Sequence, residues 1–218
     1  MTQRHSAALG RICVIGLGNV LLGDDGFGPL VVERFRCEYN YDATVEVLDL
    51  GSPGLDLAPY LHGKDLVLIA DAVHSNDTPG TLCFYSQTAL LDRKALLHLT
   101  AHDPGVGQCL AQLKLAGHAP SEVFILGVVP ESVALGSGIS ASVSAAVPAA
   151  VQSIATLLCD YGAPCKRRIV QEKPNLWWRS SLPGETCRAD FMIKQGIDHK
   201  IAQDQRQFLF WIAREMQG

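Results

Sequence analysis

Residues 12–28 read Ile-Cys-Val-Ile-Gly-Leu-Gly-Asn-Val-Leu-Leu-Gly-Asp-Asp-Gly-Phe-Gly, and they constrain this chain more than any other stretch. The apolar run Ile12–Ile15 suits a strand covered on both faces. Glycines at 16 and 18 permit the crowded or positive-φ backbone that a strand-to-helix turn needs. The turn carries two adjacent carboxylates, Asp24 and Asp25, into the start of a helix. In open α/β sheets ligands bind at the carboxyl ends of the strands, so two acids stand at the expected site within the first 25 residues.

Strand and helix patterns alternate after this turn. Strands are expected over 12–17, 44–50, 65–71, 80–86 and 122–129, with 65–71 the most apolar and therefore central. Helices are expected over 27–38, 55–61, 103–116 and 140–158, the last kinked at Pro148. The alternation predicts an α/β fold, a three-layer α/β/α sandwich with a mostly parallel five-stranded sheet. Hydrophobic residues make up 48% of the 218 and charged residues 18%, enough apolar surface for a core. The division expected is a domain over 1–159 and a C-terminal extension over 160–218. The extension carries ten Lys/Arg against seven Asp/Glu, a net +3 facing −7 for residues 1–159. It includes Lys166-Arg167-Arg168, Trp177-Trp178 and an amphipathic helix at 198–216, with Phe208 and Trp211 on its apolar face. It folds back over the acidic domain, docks a partner, or is an appended extension.

Several function classes are disfavoured. A dinucleotide fingerprint needs G-x-G-x-x-G, but the glycine after Gly18 is Gly23, two positions late. Asp49 imitates a ribose-binding acid, yet Asp24 and Asp25 would repel a pyrophosphate at the helix N-terminus. No run of eighteen apolar residues predicts a membrane span, and residues 1–10 lack the apolar centre of a signal peptide. The seven cysteines include no C-x-x-C pair; Cys13, Cys83 and Cys109 read as buried reduced thiols of a cytoplasmic protein. The acidic chain has no recognition motif for nucleic acid.

The turn also resembles that of the hydrogenase maturation endopeptidases, which trim the C-terminus of the nickel–iron hydrogenase large subunit. Their pattern G-x-G-N-x-L-x-x-D-acid-G-x-G is met at Gly16, Gly18, Asn19, Leu21, Asp24, Asp25, Gly26 and Gly28. The resemblance continues through Leu48-Asp49-Leu-Gly51-Ser52-Pro-Gly54, Leu68-Ile-Ala-Asp71-Ala, Pro79-Gly80-Thr81, His102 and Gly127-Val-Val-Pro130-Glu131-Ser132, covering roughly 11–158. It implies a protease acting on the large-subunit precursor. It also implies that Asp25, Asp71 and His102 contact the nickel, with aspartate at 25 where some members have glutamate.

The residues allow this chemistry. Strands one and three can be neighbours in such a sheet, so Asp25, Asp71 and His102 can converge. Two carboxylates and one imidazole with open positions suit a divalent ion. Each also has a plainer reading: Asp25 as a helix cap, Asp71 as an acceptor closing a turn, His102 as a solvated loop residue. His74 is a rival ligand, while His62 and His98 read as surface residues. Asp24 orients the loop rather than binding metal, and Asn19 anchors it by side-chain hydrogen bonds. Glu131 and Ser132 tempt toward a serine hydrolase, but there is no G-x-S-x-G elbow. The implied enzyme reads nickel already inserted in its substrate rather than owning a metal, although other divalent ions can substitute for it in crystals. Hydrolysis then runs through a metal-polarised carbonyl or a metal-bound water, with a carboxylate as a candidate general base. The alternatives are a non-catalytic metal-sensing assembly module and a nucleotide-binding α/β protein.

Overall fold

The structure, a computed structural model, describes residues 10–87, 105–170, 172–176 and 178. Ile12–Leu17 (β1), Val45–Gly51 (β3), Leu66–Ala72 (β4), Leu82–Ser86 (β5) and Glu122–Val128 (β6) form one five-stranded sheet in the order β3-β1-β4-β6-β5. β1 pairs in parallel with both β3 and β4, and β4 in parallel with β6. β5 runs antiparallel to β6 at the edge. The mostly parallel five-stranded sheet expected from the alternation is present. Every residue of β1 and of β4 is buried, which is why both read as continuous apolar runs rather than alternating ones.

Helix Phe27–Glu38 (α1) packs on β1, β3 and β4 and against helix Ala141–Asp160 (α4), which also reaches β6. A 3₁₀ turn at Gly54–Leu57, the short helix Ala58–Leu61 (α2) and helix Gly105–Leu115 (α3) pack together. The three layers are those of an α/β/α sandwich. Helix α4 runs on through Pro148 without a break. The proline leaves the carbonyl of Ser144 without its helical donor, but both residues are exposed, so water can serve that oxygen. By length and composition α4 is the one described helix able to cross a membrane. Its apolar residues Val143, Val147, Val151, Ile154 and Leu158 are instead buried in the core.

Two-residue strands at Tyr39–Asn40 (β2) and Lys166–Arg167 (β7) pair antiparallel, a ribbon the sequence pattern does not announce. The buried Glu38 carboxylate meets Arg34 at 3.2 Å and Arg167 at 3.1 Å, and the Glu38 carbonyl accepts the Arg168 N–H at 2.7 Å. The Asn175 N–H donates to Glu33 at 2.8 Å. Residues 166–168 and 175 are thereby stitched to the second half of α1. The chain divides into two compact units, Met1–Leu176 and Trp177–Gly218. Only Trp178 of the second is described, so Trp177 and the helix expected at 198–216 lie outside the described residues.

The core's weight falls on a few large side chains. Phe35 is fully buried in α1 and stacks on Tyr39 and Tyr41, with ring centroids 5.3 and 5.4 Å away. Phe35→Ala should cost about 3–5 kcal/mol, read as a fall in the urea midpoint with an unchanged slope.

Candidate active site at the carboxyl ends of β1 and β4

The chain leaves β1 toward β3 on one side, then crosses to β4 on the other, goes on to β5 at that edge and returns to β6 between them. The strand order therefore reverses between β1 and β4. Outside the carboxyl ends of that pair lies the ligand position of a doubly wound sheet. The register sets Gly16 of β1 against Ala70 of β4, so Asp71 stands one residue beyond Gly16, at the level where β1 enters its turn. On the other side of β4, Asp71 is opposite Gly127 of β6.

The turn after β1 is built by glycine and by short polar side chains. Gly18 has φ +123°, and a Cβ there would overlap the carbonyl oxygen of Asp25. Its N–H donates to the Gly51 carbonyl at the end of β3, 2.8 Å away. Asn19 Oδ1 accepts the Leu21 N–H at 3.0 Å, the expected loop anchor. The loop closes where the Asn19 N–H donates to Asp25 Oδ2 at 2.7 Å. Asp24 and Asp25 follow in a 3₁₀ turn, Gly23–Gly26, that leads directly into α1.

The two acids have different surroundings. Asp24 is 0% exposed and its carboxylate accepts three backbone N–H groups: Glu131 at 2.8 Å, Ser132 at 3.1 Å and Ser140 at 2.6 Å. It orients the loop, as its place in the sequence suggests. Asp25 is 6% exposed, and the cap expected of it at α1 is not made: the helix N-cap is Gly26 and has no side-chain cap. Asp71, also 6% exposed, accepts the N–H of Ala72 at 2.8 Å through Oδ1. Two buried carboxylates at the head of α1 also occupy the position a pyrophosphate would need.

His102 lies outside the described residues, as does His98. Among the described residues no group of three His, Cys, Asp or Glu side chains is placed to hold a metal ion. His74 is exposed, and His62 is exposed with its ring tilted against that of His118, centroids 4.4 Å apart. Glu131 and Ser132 serve the loop: Glu131 accepts the Ser142 hydroxyl at 2.7 Å, and Ser132 Oγ accepts the Ala134 N–H at 3.3 Å. Cys13 and Cys109 are buried as expected, whereas Cys83, on the edge strand, is only half-buried. Burial pushes Cys13 up to about 12, far from the thiolate a nucleophile needs.

Asp49, at the end of β3 beside Gly16, is a further acid near the turn. Its Oδ1 accepts the Gly51 N–H at 3.1 Å. Burial raises its carboxyl above the ordinary aspartate range, an effect opposed by that hydrogen bond and by the Arg36 charge. A raised folded-state value means the folded chain holds its proton more tightly than the unfolded one. Stability then falls as pH rises from the ordinary aspartate value through the raised one, and is level above it. Asp49→Asn keeps the acceptor for Gly51 and removes this loss. Relative to wild type, the variant should gain more stability at pH 7 than at pH 4, as read from urea midpoints at the two pH values.

A doubly wound sheet with two buried carboxylates at its switch point defines an α/β protein built around an acidic site. The family model described as HycI, hydrogenase maturation protease, matches residues 29–157. The hydrogenase 2 maturation protease of Escherichia coli (strain K12) is 31% identical over 156 residues, covering 70% of this chain and 93% of that protein. The hydrogenase expression/formation protein HupD of Rhizobium leguminosarum bv. viciae is 28% identical over 159 residues, 72% of this chain and 79% of its own length. Among solved structures, the hydrogenase maturating endopeptidase HybD from E. coli superposes with a TM-score of 0.67 at 28% identity, covering 72% of this chain and 98% of that one. The chain belongs to the hydrogenase maturation protease family.

Proposed function

We propose that this chain is an endopeptidase that removes the C-terminal extension from the nickel-loaded precursor of a nickel–iron hydrogenase large subunit. The carrying observation is that β1 and β4 are paired strands in a member of this family. That pairing sets the turn holding Asp25 beside the strand end holding Asp71. Asp25, Asp71 and His102 complete the coordination of nickel already seated in the substrate, and so bring the scissile peptide bond to the site. The nickel is part of the substrate, and an empty precursor offers these residues nothing to bind. Requiring it makes cleavage a checkpoint on metal insertion. The three side chains suit the ion, carboxylate oxygens and an imidazole being ordinary ligands of divalent first-row metals. The compartment we assign is the cytoplasm, supported by Cys13, Cys37, Cys83, Cys159 and Cys165, none of which is in a disulfide.

The test is cleavage of purified precursor, with and without nickel, followed by intact mass. The loaded precursor should lose its C-terminal segment and the nickel-free one should stay whole. Equal cleavage of both would remove nickel from the recognition step. Failure to cut either would favour a non-catalytic assembly module.

A further inference from the structure

The fully buried acid of the turn, Asp24, is absorbed by no step of this reading, and its bonds reach beyond its own loop. The segment 131–140, which follows β6 at the same end of the sheet as Asp25 and Asp71, is zipped onto the turn after β1. The Asp24 N–H donates to the Ser132 carbonyl at 2.9 Å, and the Gly136 N–H to the Leu21 carbonyl at 2.8 Å. The Asp24 carboxylate then spans the segment, holding Glu131 and Ser132 at its start and Ser140 at its end. Ser140 is itself the N-cap of α4, its Oγ accepting the Val143 N–H at 3.3 Å. A Cβ on Gly23 would overlap Ser137 Oγ, so the two segments are in direct contact.

Burying a carboxylate costs several kcal/mol unless its oxygens are satisfied. Three amide donors satisfy this one, and the chain could have filled the space with an apolar residue. The use of a charge here has a geometric consequence. Asp24 and Asp25 are successive residues of one four-residue turn, so fixing the first fixes the backbone from which the second projects. The Asn19 amide then fixes one oxygen of Asp25.

The geometry points to Asp24 as a positioning residue: by clamping the 131–140 segment to the turn, it sets the orientation of Asp25 for metal and couples that segment to the metal site. The inference rests on the nickel-binding role proposed for Asp25. Groups that orient a ligand without touching the metal commonly alter affinity 10- to 100-fold, and such coupling is reciprocal.

The probe is the Ni²⁺ ion alone, titrated into the full chain and followed by calorimetry and amide hydrogen exchange. Asp24→Asn should weaken nickel binding about 10- to 100-fold at a temperature where the variant is fully folded. A core variant chosen to match the measured stability loss, such as Ile154→Ala, should bind like wild type. In the wild-type chain, nickel should slow exchange of the Ser132 and Ser140 amides, a measurement that holds even where Asp24→Asn does not fold. Unchanged affinity in Asp24→Asn, or no response of those two amides, would overturn the positioning role. If wild type and Asp25→Asn bind nickel alike, the metal-binding reading fails instead. The positioning role, which rests on that reading, then falls with it.

Discussion

Asp71→Asn is expected to leave a folded protein that no longer trims the precursor. Asparagine keeps the volume of the side chain and an Oδ1 that can go on accepting the Ala72 N–H. The β4 end is therefore preserved while the negative charge is lost. His102→Ala tests the same site from a loop. Residues that merely orient a ligand cost 10- to 100-fold when removed, so loss of a ligand should lower processing by more than about 100-fold. Thermal melts and far-ultraviolet dichroism should match wild type within a few degrees, while mass spectrometry finds the precursor uncut. Cleavage of nickel-loaded precursor by either variant at the wild-type rate would remove that residue from the ligand set.

The parts of the fold that were legible in the sequence are those with a long signal. Leu66–Ala70 reads as five apolar positions followed by an acid, Asp71, and it opens the middle strand, Leu66–Ala72, with every residue buried. The turn after β1 was legible because glycines and short polar side chains leave few conformations open, and Asn19 and Asp24 make the kinds of bond their chemistry suggests. The antiparallel direction of β5 was not legible, since apolar periodicity is the same whichever way a strand runs. The β2–β7 ribbon has two residues on each side and no period to detect. Lys166-Arg167-Arg168 read only as tail charge. The partner of Arg167 is Glu38, 129 residues away, and no local pattern records such a pairing. At the site, the sequence supplied the acids but not the division of labour between them. That division depends on three amides from 131–140, whose approach to Asp24 only the tertiary structure specifies.

The largest stability effect should come from the smallest substitution, Gly18→Ala. Two costs add at this position. Its φ of +123° is a conformation L-residues rarely adopt, and the new methyl group would overlap the Asp25 carbonyl oxygen, a backbone atom that cannot rotate away. Backbone strain of about 1–3 kcal/mol and overpacking of similar size together reach roughly 2–6 kcal/mol, against a total of about 5–15 kcal/mol for a typical domain. Gly117→Ala is the matched control. Gly117 also has positive φ, +73°, but nothing lies within 4 Å of an added Cβ, so only the backbone term of about 1–2 kcal/mol applies. Gly28→Ala isolates the other term, because Gly28 lies in the first turn of α1 while its Cβ would overlap the Leu17 and Ala70 carbonyl oxygens. Urea midpoints should therefore fall least for Gly117→Ala and most for Gly18→Ala. Where Gly18→Ala still folds, the displaced Asp25 carbonyl moves the acid beside it, so precursor processing should fall further than the lost stability accounts for. A Gly18→Ala chain as stable as Gly117→Ala would mean that the turn after β1 yields easily, and that Asp25 is not held by close packing.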